Sequence, residues 1–369
     1  MTFLEILNCE KTNLPVQQRP ESNFRMTIKN VLDTFGDLID SSDNLTDSRF
    51  GEVISDSLFK EKNKILRDGI IKSIDAYYEG KPYFAYKILR DSLQESNVKS
   101  YLDKSSQLET NQNLFRIRIQ NGSFPLTSEE LFHIPFEKRG IVTTQRYSIP
   151  GLPSLYLANS IYVAWEELLR PSFGNIQAVR LINTKTLRLL DITTDIYNKN
   201  DVLIESLEQE SLLLYKVMTW PLVAACSFKV FGRDDVFKPE YIIPQLLLQW
   251  INTNNLDGIQ YSSTHIDPKK TSGLFYNLVI PVQTFNKDNG LCPVLSALFE
   301  STEVLPMQLR QFVSTSDRLA GQATISTDVN RDIDAIELIN GVIQSYSETS
   351  FGILEHSLNY LRTKLIVPS

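Results

Sequence analysis

Within about twenty residues this chain sets out a cation, a turn, an aromatic ring and an acid. The run Arg146-Tyr147-Ser148-Ile149-Pro150-Gly151-Leu152-Pro153-Ser154-Leu155-Tyr156-Leu157-Ala158 is followed by Ala164-Trp165-Glu166-Glu167. That set suits a pocket that grips a phosphorylated ribose carrying an aromatic base. Gly151, beside Pro150, lets the backbone turn tightly or approach a ligand closely, and an ordinary turn is its commoner use. Tyr156 could wall a ligand or sit in a core between Leu155 and Leu157, with Tyr147 as the alternative ring. Arg146 could hold an anion or merely tether its loop. Glu166 and Glu167 point about 100° apart on a helix, so only one of them can face a given pocket.

Two further segments carry polar groups at telling positions. Leu114-Phe115-Arg116-Ile117-Arg118-Ile119 alternates apolar and basic residues, which predicts a strand with Arg116 and Arg118 on one face. A salt-bridged strand arginine is the plain alternative. Gly258 to Ser263 reads as a strand ending in two hydroxyls. A one-residue slip exchanges Ser262 for Ser263 on a face, and either could simply satisfy its own backbone. Ser263, His265 and Asp267 do not make a hydrolytic triad, because residues two apart on one strand stand side by side. There is also no G-x-S-x-G elbow. The cluster His133-Ile134-Pro135-Phe136-Glu137-Lys138-Arg139 is either a flap over the cleft or a structural loop. The 3 histidines lack metal-ligand spacing, so no catalytic metal is expected.

The elements that must position these groups follow from periodicity. Ile28, Val31, Leu32, Phe35, Leu38 and Ile39 form one helical stripe, and Leu66 to Leu93 carries a helical pattern broken at Gly80-Lys81-Pro82. Asn44 to Gly51 reads as a loop and Asp103 to Asn113 as a linker. Strands are expected at 114–119, 155–158, 176–182, 187–192, 258–263 and 278–282. Asn159 or Ser160 can cap a helix running to about Leu169. Asp201 to Thr219 reads as a helix with Leu203, Leu207, Leu214 and Val217 inward. Glu240 to Ile251 is apolar enough for a buried helix, bent or started by Pro244. After about residue 286 a tail is expected, with a helix from Asp332 to Tyr346. The order of elements predicts an α+β core behind a helical N-terminal unit.

Bulk properties narrow the class. With 369 residues the chain suggests two or three units. A net charge of −7 argues against a nucleic-acid surface. The chain lacks GxGxxG and GxxxxGK[ST], so neither common nucleotide motif applies. Cys9, Cys226 and Cys292 are odd in number and far apart, which fits no disulfide framework and a cytoplasmic setting. The start Met1-Thr2-Phe3-Leu4-Glu5 has no basic segment of a signal peptide, and no apolar run approaches a membrane span.

Residues 114 to about 283 resemble the RES domain. Phe115-Arg116 matches the opening block. Arg146 and Gly151 stand ahead of the Leu155-Tyr156-Leu157-Ala158 strand, and Ala164 and Glu167 match the helix block. Gly258-Ile259-Gln260-Tyr261-Ser262-Ser263 matches the serine block, and Asn277-Leu278-Val279 the closing strand. The resemblance implies an ADP-ribosyltransferase-like mixed-sheet core over residues 106–285. A helical N-terminal domain (1–105) and a helical C-terminal extension (286–369) would flank it.

The resemblance also implies a toxin or defence effector that consumes NAD as substrate, with no other cofactor, by phosphorolysis or hydrolysis. Transfer of ADP-ribose to a protein, or a disarmed pocket that only senses NAD, are the alternatives. Expected partners are NAD, phosphate, and an antitoxin or protein target, with no nucleic acid and no membrane; a homo-oligomer is left open. Cleavage of the nicotinamide bond develops an oxocarbenium ion, which a placed carboxylate stabilises. Guanidinium groups match phosphate oxygens with two parallel bonds. On the match, Glu167, Arg116 and Ser263 are the catalytic candidates, while Arg146, Tyr156, Gly151, Arg118, Tyr147 and Ser262 would line the substrate site.

Overall fold

The computed structural model describes residues 3–18, 21–42, 56–98, 107–122, 124–194, 207–231, 235–267, 270–284, 286–309 and 333–367. The helices are α1 (Phe3–Leu7), α2 (Phe24–Asp40), α3 (Asp56–Tyr78), α4 (Pro82–Glu95), α5 (Ile161–Glu167), α6 (Leu207–Cys226), α7 (Ile242–Asn252), α8 (Pro293–Leu298) and α9 (Ser350–Asn359). The first strands are β1 (Gln107–Leu108), β2 (Asn113–Ile119), β3 (Ser154–Ala158), β4 (Ile176–Asn183), β5 (Leu187–Ile192) and β6 (Gly258–Ser262). They are followed by β7 (Thr271–Gly273), β8 (Tyr276–Pro281), β9 (Phe299–Ser301), β10 (Leu305–Pro306), β11 (Ile333–Ile339), β12 (Val342–Ser345) and β13 (Lys364–Leu365). The protein is α+β. No helix among the described residues is long and apolar enough to cross a membrane. The expected loop at Asn44 to Gly51 lies outside the described residues.

The chain forms two compact units. One, the helical unit, comprises residues 1–106, 145–148 and 190–256; the other, the sheet unit, comprises 107–144, 149–189 and 257–369. These units cut the chain differently from the boundaries 105 and 285. Residues 190–256 pack with the N-terminal helices, and 286–369 pack with the sheet.

In the helical unit the Gly80-Lys81-Pro82 break does separate two helices, α3 and α4, with Pro82 at the first helical position where its missing N–H costs nothing. Asn23 caps α2 by accepting from the Met26 N–H, and Ile28, Leu32, Phe35 and Ile39 are buried. Helix α6 is not the one-faced helix that its sequence suggested. Every residue from Leu213 to Cys226 is buried, so it is the core rod of its unit. Trp220 stacks on Phe35 at 4.1 Å between ring centres, and its indole N–H donates to the Thr12 carbonyl at 3.0 Å.

In the sheet unit, ten of the described strands form one sheet in the order β1-β5-β6-β8-β3-β2-β4-β9-β13, with β10 against β4. Strand β2 runs antiparallel to both β3 and β4, and β8 to both β3 and β6. The sheet is covered on both faces. Leu114, Leu155, Leu157, Val179, Leu181, Leu278 and Ile280 belong to one cluster; Phe115, Ile117, Ala158, Ile176 and Ala178 belong to the other. That split is the period-two alternation of the strands made visible.

The C-terminal stretch corrects the expected helical extension. Strands β9, β10 and β13 extend the main sheet, while α9 lays Phe351, Leu354 and Leu358 on one of its faces. The expected helix from Asp332 to Tyr346 is instead the hairpin β11–β12, and β11 also pairs with β7. The reason is local: Asn340-Gly341 is a hairpin turn, Gly341 takes φ +81°, and the flanks are rich in β-branched isoleucine and valine.

Helix α5 is capped twice at its start. Ser160 accepts from the Val163 N–H at 3.1 Å, and the buried Glu355 of α9 accepts from the Ile161 N–H at 2.7 Å. Tyr346 donates its hydroxyl to the same Glu355 oxygen. Burial raises the Glu355 carboxyl from 4.5 to about 8, against the two hydrogen bonds, which lower it. The unfolded chain therefore ionises first, so this group's stabilisation is complete below 4.5 and is lost as pH rises toward 8. Glu355→Gln keeps the acceptor and should remove that pH dependence in urea unfolding measured across this range. Glu355→Leu orphans both donors and should cost about 1–3 kcal/mol for each.

Candidate functional site

One row of side chains crosses four neighbouring strands of the sheet. Phe115 of β2 pairs with Ala158 of β3, Ala158 with Asn277 of β8, and Asn277 with Tyr261 of β6. Residues in one row share a face. Tyr156, two residues before Ala158, is on this face as well, while Leu155 and Leu157 are buried in the cluster on the other. Tyr156 is half-buried. Alternation therefore separates this ring from the leucines beside it, and it is not core filling between them.

Asn277 brings the acid to this face. Its Nδ2 donates to Glu167 Oε1 at 3.0 Å, from β8 to the last residue of α5. Glu166 goes elsewhere: it is 2% exposed and accepts from Arg170 Nε at 2.9 Å. The two carboxylates point apart, as neighbours on a helix must, and the half-buried Glu167 is the one directed to the sheet. In the sequence Asn277 stands out only as part of a closing strand. The signal available in sequence was a buried-type strand, Tyr276 to Pro281, opened by an amide.

On the other side of β3 lies Arg116. Among the described residues β2 and β3 pair only at Phe115 and Ala158, so beyond that point the strands part. Arg116 Nη1 donates to the Tyr156 main-chain carbonyl at 3.2 Å, across the opening. Burial, and to a lesser degree the charge of Arg118, pushes the guanidinium down to about 9, which leaves it a cation at neutral pH. Arg118 is two residues along on the same face of β2, half-buried, its pKa lowered by burial and opposed by the charge of Glu130. Thus β3 has a cation on one flank and an amide-held carboxylate on the other, rooted on opposite faces of the sheet: Arg116 and Arg118 alternate onto the face of Leu114, while Glu167 meets Asn277 on the face of Phe115 and Ala158.

The serines sit at the end of β6. Ser262 pairs with Tyr276 and is the last strand residue; Ser263 follows it, and both are buried. Ser263 Oγ accepts from the His265 N–H at 3.1 Å, the local backbone bond expected of a strand-end hydroxyl. Gly151 occupies a tight turn in which the Leu152 N–H donates to Ile149 at 2.9 Å. With Pro150 second and Gly151 third at φ +74°, it has the residue pattern of a type II turn. An added Cβ at Gly151 would meet nothing within 4 Å, so turn geometry alone calls for glycine there.

Arg146 and Tyr147 belong to the helical unit. Arg146 donates from Nη1 to the Cys226 carbonyl at 2.9 Å and from Nη2 to the Phe228 carbonyl at 3.2 Å, at the C-terminal end of α6. Its guanidinium lies over the Tyr241 ring at 5.2 Å. A cation is well placed at a helix C-terminus, where carbonyls lack intrahelical partners. Tyr147 is 1% exposed. Among the described residues no group of three or more His, Cys, Asp or Glu could hold a metal ion.

No family model matches the chain. Its sequence is similar to that of a Bacillus subtilis (strain 168) protein named "Putative toxin YopC", with 33% identity over 264 residues. The match takes in 67% of this chain and spans 59% of the length of that relative. A structural comparison finds the M. tuberculosis MbcT–MbcA toxin–antitoxin complex at 13% identity and a TM-score of 0.31. It covers 59% of this chain and 95% of the other.

The cluster from His133 to Arg139 is built inward at its first residue. His133 is fully buried, with Nδ1 2.8 Å from the Ile134 carbonyl and Nε2 accepting from the Cys292 N–H at 2.7 Å. Phe136 is buried beside it, so this end is an anchor and not a flap. Burial lowers the His133 pKa from 6.5 to about 4, so the ring stays neutral while the unfolded chain takes up a proton. Stability conferred by this group is present above 6.5 and is lost as pH falls toward 4. His133→Leu should cost about 1–3 kcal/mol at neutral pH by orphaning the Cys292 N–H. It should also flatten the acid-side loss, as read by chemical denaturation at stepped pH.

Proposed function

We propose that this chain is a toxin enzyme that breaks the nicotinamide–ribose bond of NAD. The observation that carries the proposal is the flanking of β3 by Arg116 on one side and by Glu167, held by Asn277, on the other. The name of the Bacillus subtilis relative supports the toxin part of it. In this proposal Arg116, rooted with Arg118 on the face of Leu114, reaches the diphosphate through the opening between β2 and β3, and Tyr156 on the opposite face walls the nicotinamide or its ribose. Glu167 holds a ribose hydroxyl and faces the positive charge that develops at the sugar. Ser263, with Ser262 as its neighbour, takes a ribose hydroxyl or a phosphate oxygen. Arg146 is left outside the proposed site, because its terminal nitrogens already serve two carbonyls.

The bond that breaks joins the ribose carbon to the nicotinamide nitrogen, and its electron pair returns to that nitrogen, leaving nicotinamide neutral. An oxygen of water or phosphate then bonds to the same carbon and sheds its proton. Asn277 matters because an amide cannot be protonated in place of the acid; it holds one carboxylate oxygen and leaves the other for substrate. A toxin of this kind requires a neutralising protein, which we take as its partner.

The test is incubation of the full chain with NAD, with and without phosphate, while following free nicotinamide. Release should fall about 100-fold or more in Glu167→Ala. Asn277→Leu should show a smaller loss in kcat. Arg116→Gln removes the charge assigned to the diphosphate and should raise KM about tenfold. Labelled protein in place of free ADP-ribose would turn the reading toward protein modification. Tight NAD binding without turnover would make the chain a sensor, and neither binding nor release would end the proposal.

A further inference from the structure

We infer that Arg170, Glu166 and Trp165 form a latch that positions Glu167 by holding the end of α5 in a strained turn; the catalytic part of this inference rests on the NAD reading above. The turn has a recognisable bond pattern. The Leu169 N–H donates to the Glu166 carbonyl and the Arg170 N–H to the Trp165 carbonyl, each at 3.0 Å. This is the Schellman ending of a helix, whose left-handed residue is usually glycine. Here the left-handed residues are Leu169 at φ 60° and Arg170 at φ 58°. Neither is glycine, and two in succession is a conformation that side chains resist. Leu169 is 67% exposed, so packing of its own side chain does not hold it there.

What holds the turn comes from three side chains. Arg170 Nε donates to Glu166 Oε2 at 2.9 Å, and the acceptor is buried. The guanidinium lies over the Trp165 ring at 5.6 Å, and the Trp165 indole N–H donates to the Pro171 carbonyl at 2.7 Å. Glu167 is the last helical residue, between Glu166 and the strained pair. If the latch opens, the turn can relax toward ordinary backbone angles, and Glu167 moves with it. Arg170 and Glu166 are thus positioning residues acting through the backbone. Backbone strain of this kind persists only where its surroundings over-determine it.

The test uses the full chain and two readouts: hydrogen exchange of the amides at positions 168–170, and nicotinamide release. In Arg170→Ala those amides should exchange about tenfold faster, with the Val179 amide of the central strand β4 unchanged. Release should fall about tenfold in kcat, with KM within about twofold. Arg170→Lys should show a partial loss. Adding Leu169→Gly to Arg170→Ala should restore part of both readouts, because glycine takes one of the two left-handed angles freely. Unchanged exchange in Arg170→Ala overturns the latch, whatever happens to NAD. Faster exchange with unchanged release overturns its bearing on Glu167. If the wild type releases no nicotinamide, the NAD reading fails, while the exchange data still decide the latch.

Discussion

Strands β2 and β3 meet at Phe115 and Ala158 and then part, and the proposed site is built around that parting. A continuous ladder there would occupy the Tyr156 carbonyl with a backbone N–H. Because β2 has turned away, Arg116 supplies the donor, and a guanidinium comes to lie in the sheet where a peptide bond would otherwise be. The price is a buried cation, visible in its lowered pKa. The sheet tolerates the opening because both of its faces are covered by apolar clusters, and because β4 pairs with β2 along its full length.

The acid is positioned by a different device. Helix α5 is only two turns long and could not hold its own ends in water. Its start is fixed by Ser160 and by Glu355, which arrives from a helix almost two hundred residues later. Its end is fixed by Arg170 on Glu166. Between them Glu167 has one oxygen held by Asn277. The C-terminal segment therefore supports the helix that carries Glu167: α9 supplies the Glu355 cap and packs on the same sheet face. Arg180 of β4 secures that segment further, donating to Asn113 Oδ1 and to the Leu361 carbonyl, each at 3.0 Å.

The helical unit obeys simpler rules. A rod buried on all sides from Leu213 to Cys226, α6, packs with α1, α2, α3 and α7, and the carbonyl of its last residue, Cys226, is closed by Arg146. Arg146 looked like a ligand-binding cation in sequence because guanidinium suits carbonyl oxygens as well as phosphates, and residue type alone does not separate the two uses.

Period and punctuation made much of the fold legible. The alternation in 114–119, the Gly80-Lys81-Pro82 break and the Ser160 cap each produced the element expected of them. The expected helix at 332–346 gave way to the Asn340-Gly341 turn, and the expected one-faced helix at 201–219 to a helix buried on all sides from Leu213 onward. Long-range register was beyond reach, since no local pattern says that Ala158 stands between Phe115 and Asn277, or that Glu355 caps Ile161. Local sequence determined which segments are strands and helices and which side chains could do chemistry, because those depend on near neighbours along the chain. Only the tertiary structure decided that Glu167 and not Glu166 turns to the sheet, and that Arg116 fills a gap while Arg146 closes a helix. Those choices are made by partners far apart in sequence, whose meeting is set by packing and burial.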